Sequence, residues 1–576
     1  MSTGTQPPPA TPSTPATPAP EPLQWASIPA LTRSAAARFG GAEAVVDGTT
    51  RLSWTDLDGR VDAATRAYVA AGIEPGDRAG LWAPNGHEWI VAALGLVAAG
   101  GVLVPLSTRY KGTEVADILR RSRTRMVVVV GELLGTRYPE MLDGHDLPDL
   151  EAVVVLESGA ERSTAPGTEP GTEPGTAPAV TGAAWRRVPW SRFLAAGEAV
   201  PAAEVERRVE AAAPGDISDV MFTSGTTGRP KGVVVTHGQS LRTFRTWVDV
   251  VGLVEGDRYL LVNPMSHTFG YKAGVLACLM AGATMVPLPV FDVDATVGAI
   301  ERERITVLPG PPTLYQSILD HPARERAAAA GLRLAVTGAA TIPSALVRRM
   351  RAELGFETVL TAYGLTECCG FATATRRSDS VDVIASTSGR AIPGVEVRVV
   401  DDGGHERPRG EAGEVLVRGF NVMLGYFEDP EATAEAVDAG GWLHTGDIGV
   451  MDAAGNLRIT DRKKDMFIVG GLNAYPAEVE NLLLDHPAVA QVAVVGMPDA
   501  RLGEVGAAFV IPAAGHTVDT AALIAWARGH MAGYKVPRHV EVVDALPLNA
   551  SGKVDKHELR RRLAVAGAGG NAGKGR

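Results

Sequence analysis

Short runs of β-branched residues alternate with amphipathic stretches, and this alternation narrows the possible folds more than any other feature. Residues 125–130 (RMVVVV), 305–308 and 334–337 (LAVT) each read as a strand beside a helix-like segment. A strand that is apolar on both faces needs cover on both faces, and helices supply it. The pattern predicts an α/β fold, a large N-terminal domain of layered α/β subdomains with largely parallel sheets. Residues 90–106 form the longest uncharged apolar stretch, broken by Gly95, Gly100, Gly101 and Pro105. It is shorter than the ~20 residues a spanning helix needs. It reads as a buried helix followed by a buried strand, with no integral membrane segment.

From about residue 395 to 458 the strands shorten and turns appear at 401–404 and 454–456. This predicts a small antiparallel β subdomain. A compact α+β piece follows, with the cut placed at 461–465 (DRKKD). The expected organisation is a disordered proline-rich tail at 1–22, a large N-terminal domain at 23–463, a mobile C-terminal domain at 464–563 and a flexible Gly/Ala tail at 564–576. A low-complexity surface insertion, 158–183, contains PGTEPGTEPGT and interrupts the large domain. Such proline- and glycine-rich segments bury too little apolar surface to offset the entropy of ordering them.

A formal net charge of -11 argues against nucleic acid as a partner. Cys278, Cys368 and Cys369 are the only cysteines, and none sits at zinc spacing or in a CxxC pair. Together with the lack of a basic, then apolar, leader, they predict a cytoplasmic protein.

Residues 217–222 and 233–236 read as strands, so the segment between them, 223–232 (TSGTTGRPKG), is a strand-to-strand loop. Gly225, Gly228 and Gly232 let backbone amides point inward. Thr223, Ser224, Thr226 and Thr227 add hydroxyl donors, and Lys231 adds a cation. Such a loop can cradle phosphates, although it lacks the GxxxxGK[ST] order of a Walker A loop.

This string resembles the phosphate-loop signature of the adenylate-forming superfamily, which includes acyl-CoA synthetases, peptide-synthetase adenylation domains and luciferases. Further motifs follow in the same order: VTGAA at 336–340, YGLTE at 363–367, WLHTGD at 442–447 and LNASGKV at 548–554. The resemblance covers about residues 23–560. It implies that ATP is held by Thr223, Ser224, Gly225, Thr226, Thr227, Gly228 and Lys231. Gly338, Ala339, Ala340, Ala362 and Tyr363 then flank the adenine, Asp447 reaches the ribose, and Arg462 also reaches the nucleotide. By the same resemblance Thr366 and Glu367 serve Mg2+, Glu367 as its ligand. Lys464 is the hinge, Gly470, Gly471 and Leu472 border the path of coenzyme A, and His267 lines the acyl pocket. Lys553, by composition an exposed lysine on a polar loop, becomes the catalytic cation.

The implied chemistry is an ATP-dependent acid–thiol ligation through an acyl-adenylate, ending in a CoA thioester. A stand-alone enzyme that loads a carrier-protein thiol is the alternative. Segments 103–112, 135–142 and 291–315 resemble actinobacterial fatty-acid-type ligases and, among them, ligases of steroid-ring degradation. The expected acid is therefore apolar, fatty-acid-like or a bicyclic steroid-derived propanoate, in a pocket near His267, Lys272, Pro312, Gly338 and Tyr363.

Overall fold

A computed structural model describes residues 23–157, 185–223, 230–338, 342–462, 465–469, 472–474, 476–499, 501–531, 533–549 and 553–570. The expected tail at 1–22, the insertion at 158–183 and the cut at 463–464 lie outside the described residues.

Two large sheets form the first part. One has nine strands, with a parallel centre built from Leu334–Thr337, Val307–Pro309, Arg258–Leu261 and Thr284–Pro287. The other has eight, with parallel strands Val102–Pro105, Arg78–Trp82, Met126–Val130 and Ala152–Leu156. Antiparallel partners extend both sheets, as in the pairing of Ile217–Thr223 with Lys231–Thr236, while Arg186–Pro189 closes the far edge of the eight-stranded sheet in parallel. Val127, Val128 and Val129 are fully buried, as expected of a central strand covered on both faces.

The apolar stretch at 90–106 resolves into helix His87–Ala98 and strand Val102–Pro105. Ile90, Ala93 and Val97 of that helix share one core with residues of both sheets. A helix with no polar face is stable only in such an interior position. Helix His237–Val251 begins directly after strand Lys231–Thr236. Thr236 accepts from the Gln239 amide, the Gln239 side chain returns the bond, and Gly252 ends the helix at φ 73°.

A four-stranded antiparallel sheet follows, made of Val395–Val400, Ala412–Gly419, Leu443–Met451 and Leu457–Arg462. Gly425–Tyr426 departs from the expected subdomain: it pairs with Lys231–Thr236 and so belongs to the eight-stranded sheet. The last unit is a mixed five-stranded sheet with helices and cores of its own. Its final helix, Lys556–Gly570, runs into the stretch expected to be a loose tail. The alanines there favour helix.

Candidate active site

The site lies at the C-terminal ends of the parallel strands, where open α/β sheets place ligands. Strands Leu334–Thr337 and Thr358–Tyr363 run parallel with Thr337 opposite Thr361. Gly338 and Ala362, one residue further on, therefore lie side by side. A Cβ on Gly338 would stand 3.1 Å from the Ala362 carbonyl oxygen, so the close approach favours glycine.

Past Tyr363 the chain enters the short 3-10 turn Thr366–Cys368, which presents Glu367. Glu367 Oε1 accepts from Tyr426 Oη at 3.1 Å and from Thr223 Oγ1 at 3.4 Å. Among the described residues Oε2 accepts no hydrogen bond. Thr223 and Lys231 face each other across an antiparallel ladder. Lys231 Nζ sits 4.9 Å from the centre of the Tyr426 ring, and Arg121 donates to the Pro230 carbonyl. Gly232 pairs with Phe222, and a Cβ there would meet that ring at 3.0 Å. Ser224, Gly225, Thr226, Thr227 and Gly228 lie outside the described residues, as do Ala339 and Ala340.

Asp447 is buried on strand Leu443–Met451. Its Oδ2 accepts from the Tyr363 hydroxyl at 2.6 Å. Burial, then the Asp447 charge, pushes the Tyr363 phenol well above its usual range, so Tyr363 remains a donor. The backbone of Arg462 lies directly opposite Asp447 in the antiparallel ladder, which brings two ends of a fifteen-residue separation together.

His267 opens the short helix Thr268–Gly270. Its Nε2 is buried without a hydrogen-bond partner among the described residues. Burial, and then the charges of Lys553 and Arg109, lower its pKa to about 4. The imidazole is neutral, and Lys553 stands within electrostatic reach of it. Lys553 itself is exposed. Its amide donates to Asn549 Oδ1 at 3.0 Å, its carbonyl accepts from the Asn549 amide at 2.7 Å, and Leu548 bridges to Val554. Lys464, Gly470 and Gly471 lie outside the described residues, and Leu472 pairs with Val469 in a short antiparallel ladder.

Lys272, expected to line the acyl pocket, is fully buried instead. Its Nζ lies 2.9 Å from Asp219 Oδ1 and 3.6 Å from Cys369 Sγ. It sits in the π-helical turn Tyr271–Leu276, a rare geometry that recurs near functional sites. Sequence reasoning also missed Tyr426, whose neighbourhood carries no local motif. Asp47, His87 and Glu88 cluster at metal-like spacing, but Asp47 there accepts from the His87 amide and ring and so caps a helix.

The sequence pattern of the AMP-binding enzyme family spans residues 32–427, and that of the AMP-binding enzyme C-terminal domain spans 478–553. A 3-[(3aS,4S,7aS)-7a-methyl-1,5-dioxo-octahydro-1H-inden-4-yl]propanoyl:CoA ligase of Rhodococcus jostii (strain RHA1) is 47% identical over 93% of this chain and 98% of its own length. Its namesake in Mycobacterium tuberculosis (strain ATCC 25618 / H37Rv) is 48% identical over 90% of this chain and 95% of its own. The crystal structure of the anthranilate CoA ligase AuaEII in complex with anthranoyl-AMP superposes with a TM-score of 0.80 at 27% identity, over 95% of this chain and 99% of that one.

The chain belongs to the AMP-binding enzyme family. It is an AMP-forming acid–thiol ligase that uses ATP, a carboxylic acid and coenzyme A. Among the described residues no helix is long and apolar enough to cross a membrane.

Proposed function

We propose that this enzyme activates a bicyclic, steroid-derived propanoate and transfers it to coenzyme A. The observation that carries the substrate is its 47–48% identity, along almost the whole chain, to two ligases named for that acid. An acid activated this way forms part of steroid and fatty-acid breakdown. The buried free cysteines fit a cytoplasmic location.

A carboxylate is a poor acceptor for a thiolate, since both are negative. In the first step a carboxylate oxygen attacks the α-phosphorus of ATP, and pyrophosphate leaves. In the second the thiolate attacks the acyl carbon, and AMP leaves. In this reading Thr223 to Gly228 and Lys231 cradle the phosphates. Gly338, Ala339, Ala340, Ala362 and Tyr363 flank the adenine, while Asp447 takes the ribose and Arg462 also contacts the nucleotide. A carboxylate with one oxygen held by two hydroxyls and the other open among the described residues fits Mg2+, which prefers few carboxylates plus phosphate oxygens. Glu367 and Thr366 would hold it, and when bound it screens the phosphate charge.

Lys553 supplies the cation between the two approaching anions, and its proximity to His267 supports this. Neutral His267 adds no competing charge at the acyl end. Lys464 acts as the hinge that exchanges Lys553 for Gly470, Gly471 and Leu472 beside the thiol path.

The test is AMP release from ATP with coenzyme A and a panel holding the bicyclic propanoate, straight-chain fatty acids and ferulate. The bicyclic acid is expected to have the highest kcat/KM. A competing acid that is better by roughly tenfold, about 1.4 kcal/mol in transition-state binding, overturns the substrate assignment. Transfer to a carrier protein with none to free coenzyme A overturns the acceptor.

A further inference from the structure

The Glu367 turn is held from a direction that none of the ordered motifs supplies. Residues 421–427 run as a strap between that turn and the strand Lys231–Thr236. The Met423 amide donates to the Glu367 carbonyl at 2.9 Å. Asn421 Nδ2 donates to the Phe371 carbonyl at 2.8 Å. On the other side the Leu424 amide donates to the Val234 carbonyl at 3.0 Å and the Phe427 amide to the Gly232 carbonyl at 2.7 Å.

Gly425 makes the strap possible. Its φ of 154° falls where side chains are strained, and a Cβ would meet Thr433 Cγ2 at 2.8 Å. Thr433 Oγ1 then accepts from the Tyr426 amide at 2.8 Å. With its backbone fixed at both neighbours, Tyr426 projects between two groups of opposite charge. Its hydroxyl reaches Glu367 Oε1 at 3.1 Å and its ring faces Lys231 Nζ at 4.9 Å.

We propose that Tyr426 is a positioning residue of the ATP site: its hydroxyl orients the Glu367 carboxylate and its ring holds the Lys231 ammonium. The inference rests on the reading of Glu367 as the Mg2+ ligand and Lys231 as a phosphate contact. Without the ring, Lys231 and Glu367 would be free to close on each other, and both would face away from nucleotide. The phenol hydroxyl donates to the carboxylate oxygen. An aromatic face holds a cation without neutralising it, which leaves the Lys231 charge available to phosphate. A carboxylate in place of Tyr426 would not.

The experiment compares Tyr426→Phe, Tyr426→Leu and Glu367→Gln in the full-length enzyme. Two quantities are read: Mn2+ binding to the enzyme–ATP complex by electron paramagnetic resonance, and ATP binding without metal by calorimetry. Loss of a hydrogen bond to a charged group is expected to weaken Mn2+ binding roughly ten- to hundredfold in Tyr426→Phe. Metal-free ATP binding should hold in that variant, which keeps the ring, and weaken in Tyr426→Leu, which loses it. If Glu367→Gln weakens Mn2+ binding and Tyr426→Phe does not, the positioning role is wrong. If Glu367→Gln leaves Mn2+ binding unchanged, the ligand reading of Glu367 fails, and the inference with it. If both tyrosine variants bind metal-free ATP equally, the clamp on Lys231 is wrong.

Discussion

Asp219 and Lys272 bury opposite charges in the core, both fully shielded from water, 2.9 Å apart. Burial pulls the Lys272 ammonium toward neutrality, but Asp219 and Cys369 more than offset it, and its pKa stands above the ordinary lysine value. A raised lysine pKa means the contribution is fully present below about pH 10 and is lost only as pH climbs through the folded value. At neutral pH the pair is intact. Asp219→Ala leaves the ammonium with the Cys369 thiol at 3.6 Å and the Asp219 site empty. Stranding a buried charge in this way costs about 3–5 kcal/mol, roughly a hundred- to several-thousandfold in the folding equilibrium. Asp219→Leu combined with Lys272→Met removes both charges and is expected to be neutral or stabilising by about 1–4 kcal/mol. Denaturation by guanidinium at pH 7, followed by tryptophan fluorescence, measures both. A single variant that costs less than about 1 kcal/mol, in the range of an exposed pair, overturns the account. So does a double variant as damaged as the single one. The pair also joins three segments that carry site residues: Asp219 lies on the strand ending in Thr223, Lys272 follows His267, and Cys369 follows Glu367.

Lys553→Ala is expected to slow adenylate formation by about 3–4 kcal/mol, the effect of losing one preorganised charge contact; pyrophosphate exchange at the parent rate would remove Lys553 from the chemistry. Asp447→Ala should raise the KM for ATP strongly and leave the KM for the acid nearly unchanged, as steady-state kinetics can check. His237 is held at about pKa 4 by burial, with Lys272 adding to the depression and Asp216 opposing it, and its Nδ1 accepts the Ile28 amide at 3.3 Å. Its unfolded pKa is about 6.5, so below that value the unfolded chain takes up the proton first. Folding stability should therefore fall as pH drops from about 6.5 toward 4, and a denaturation series over that window that stays flat contradicts the burial of a neutral ring. The same window applies to His267, also held at about 4.

Much of the fold around the candidate site was legible from local pattern. The strand, loop and strand around residues 223–232 followed from β-branched runs on either side of a glycine-rich stretch, and Ile217–Thr223 pairs with Lys231–Thr236 as that reading requires. The buried helix and strand at 90–106 followed from apolarity and the spacing of its glycines. The boundary of the last helix was missed because a Gly/Ala-rich composition serves both a tail and a helix end.

Period and composition report what one segment wants from its surroundings, and so they determined the elements and their order, while the chemistry of most motifs came from resemblance. They carry no record of which distant side chain fills a given space. Lys272 is expected near the acyl pocket together with His267, yet the fold turns it toward Asp219. Resemblance alone brings Arg462 to the nucleotide; strand register sets its backbone opposite Asp447. Tyr426 carried no signal at all until a strap strand laid it between Glu367 and Lys231. Those partnerships arise from sheet register and packing, which depend on the whole chain being folded, and only the tertiary structure could assign them.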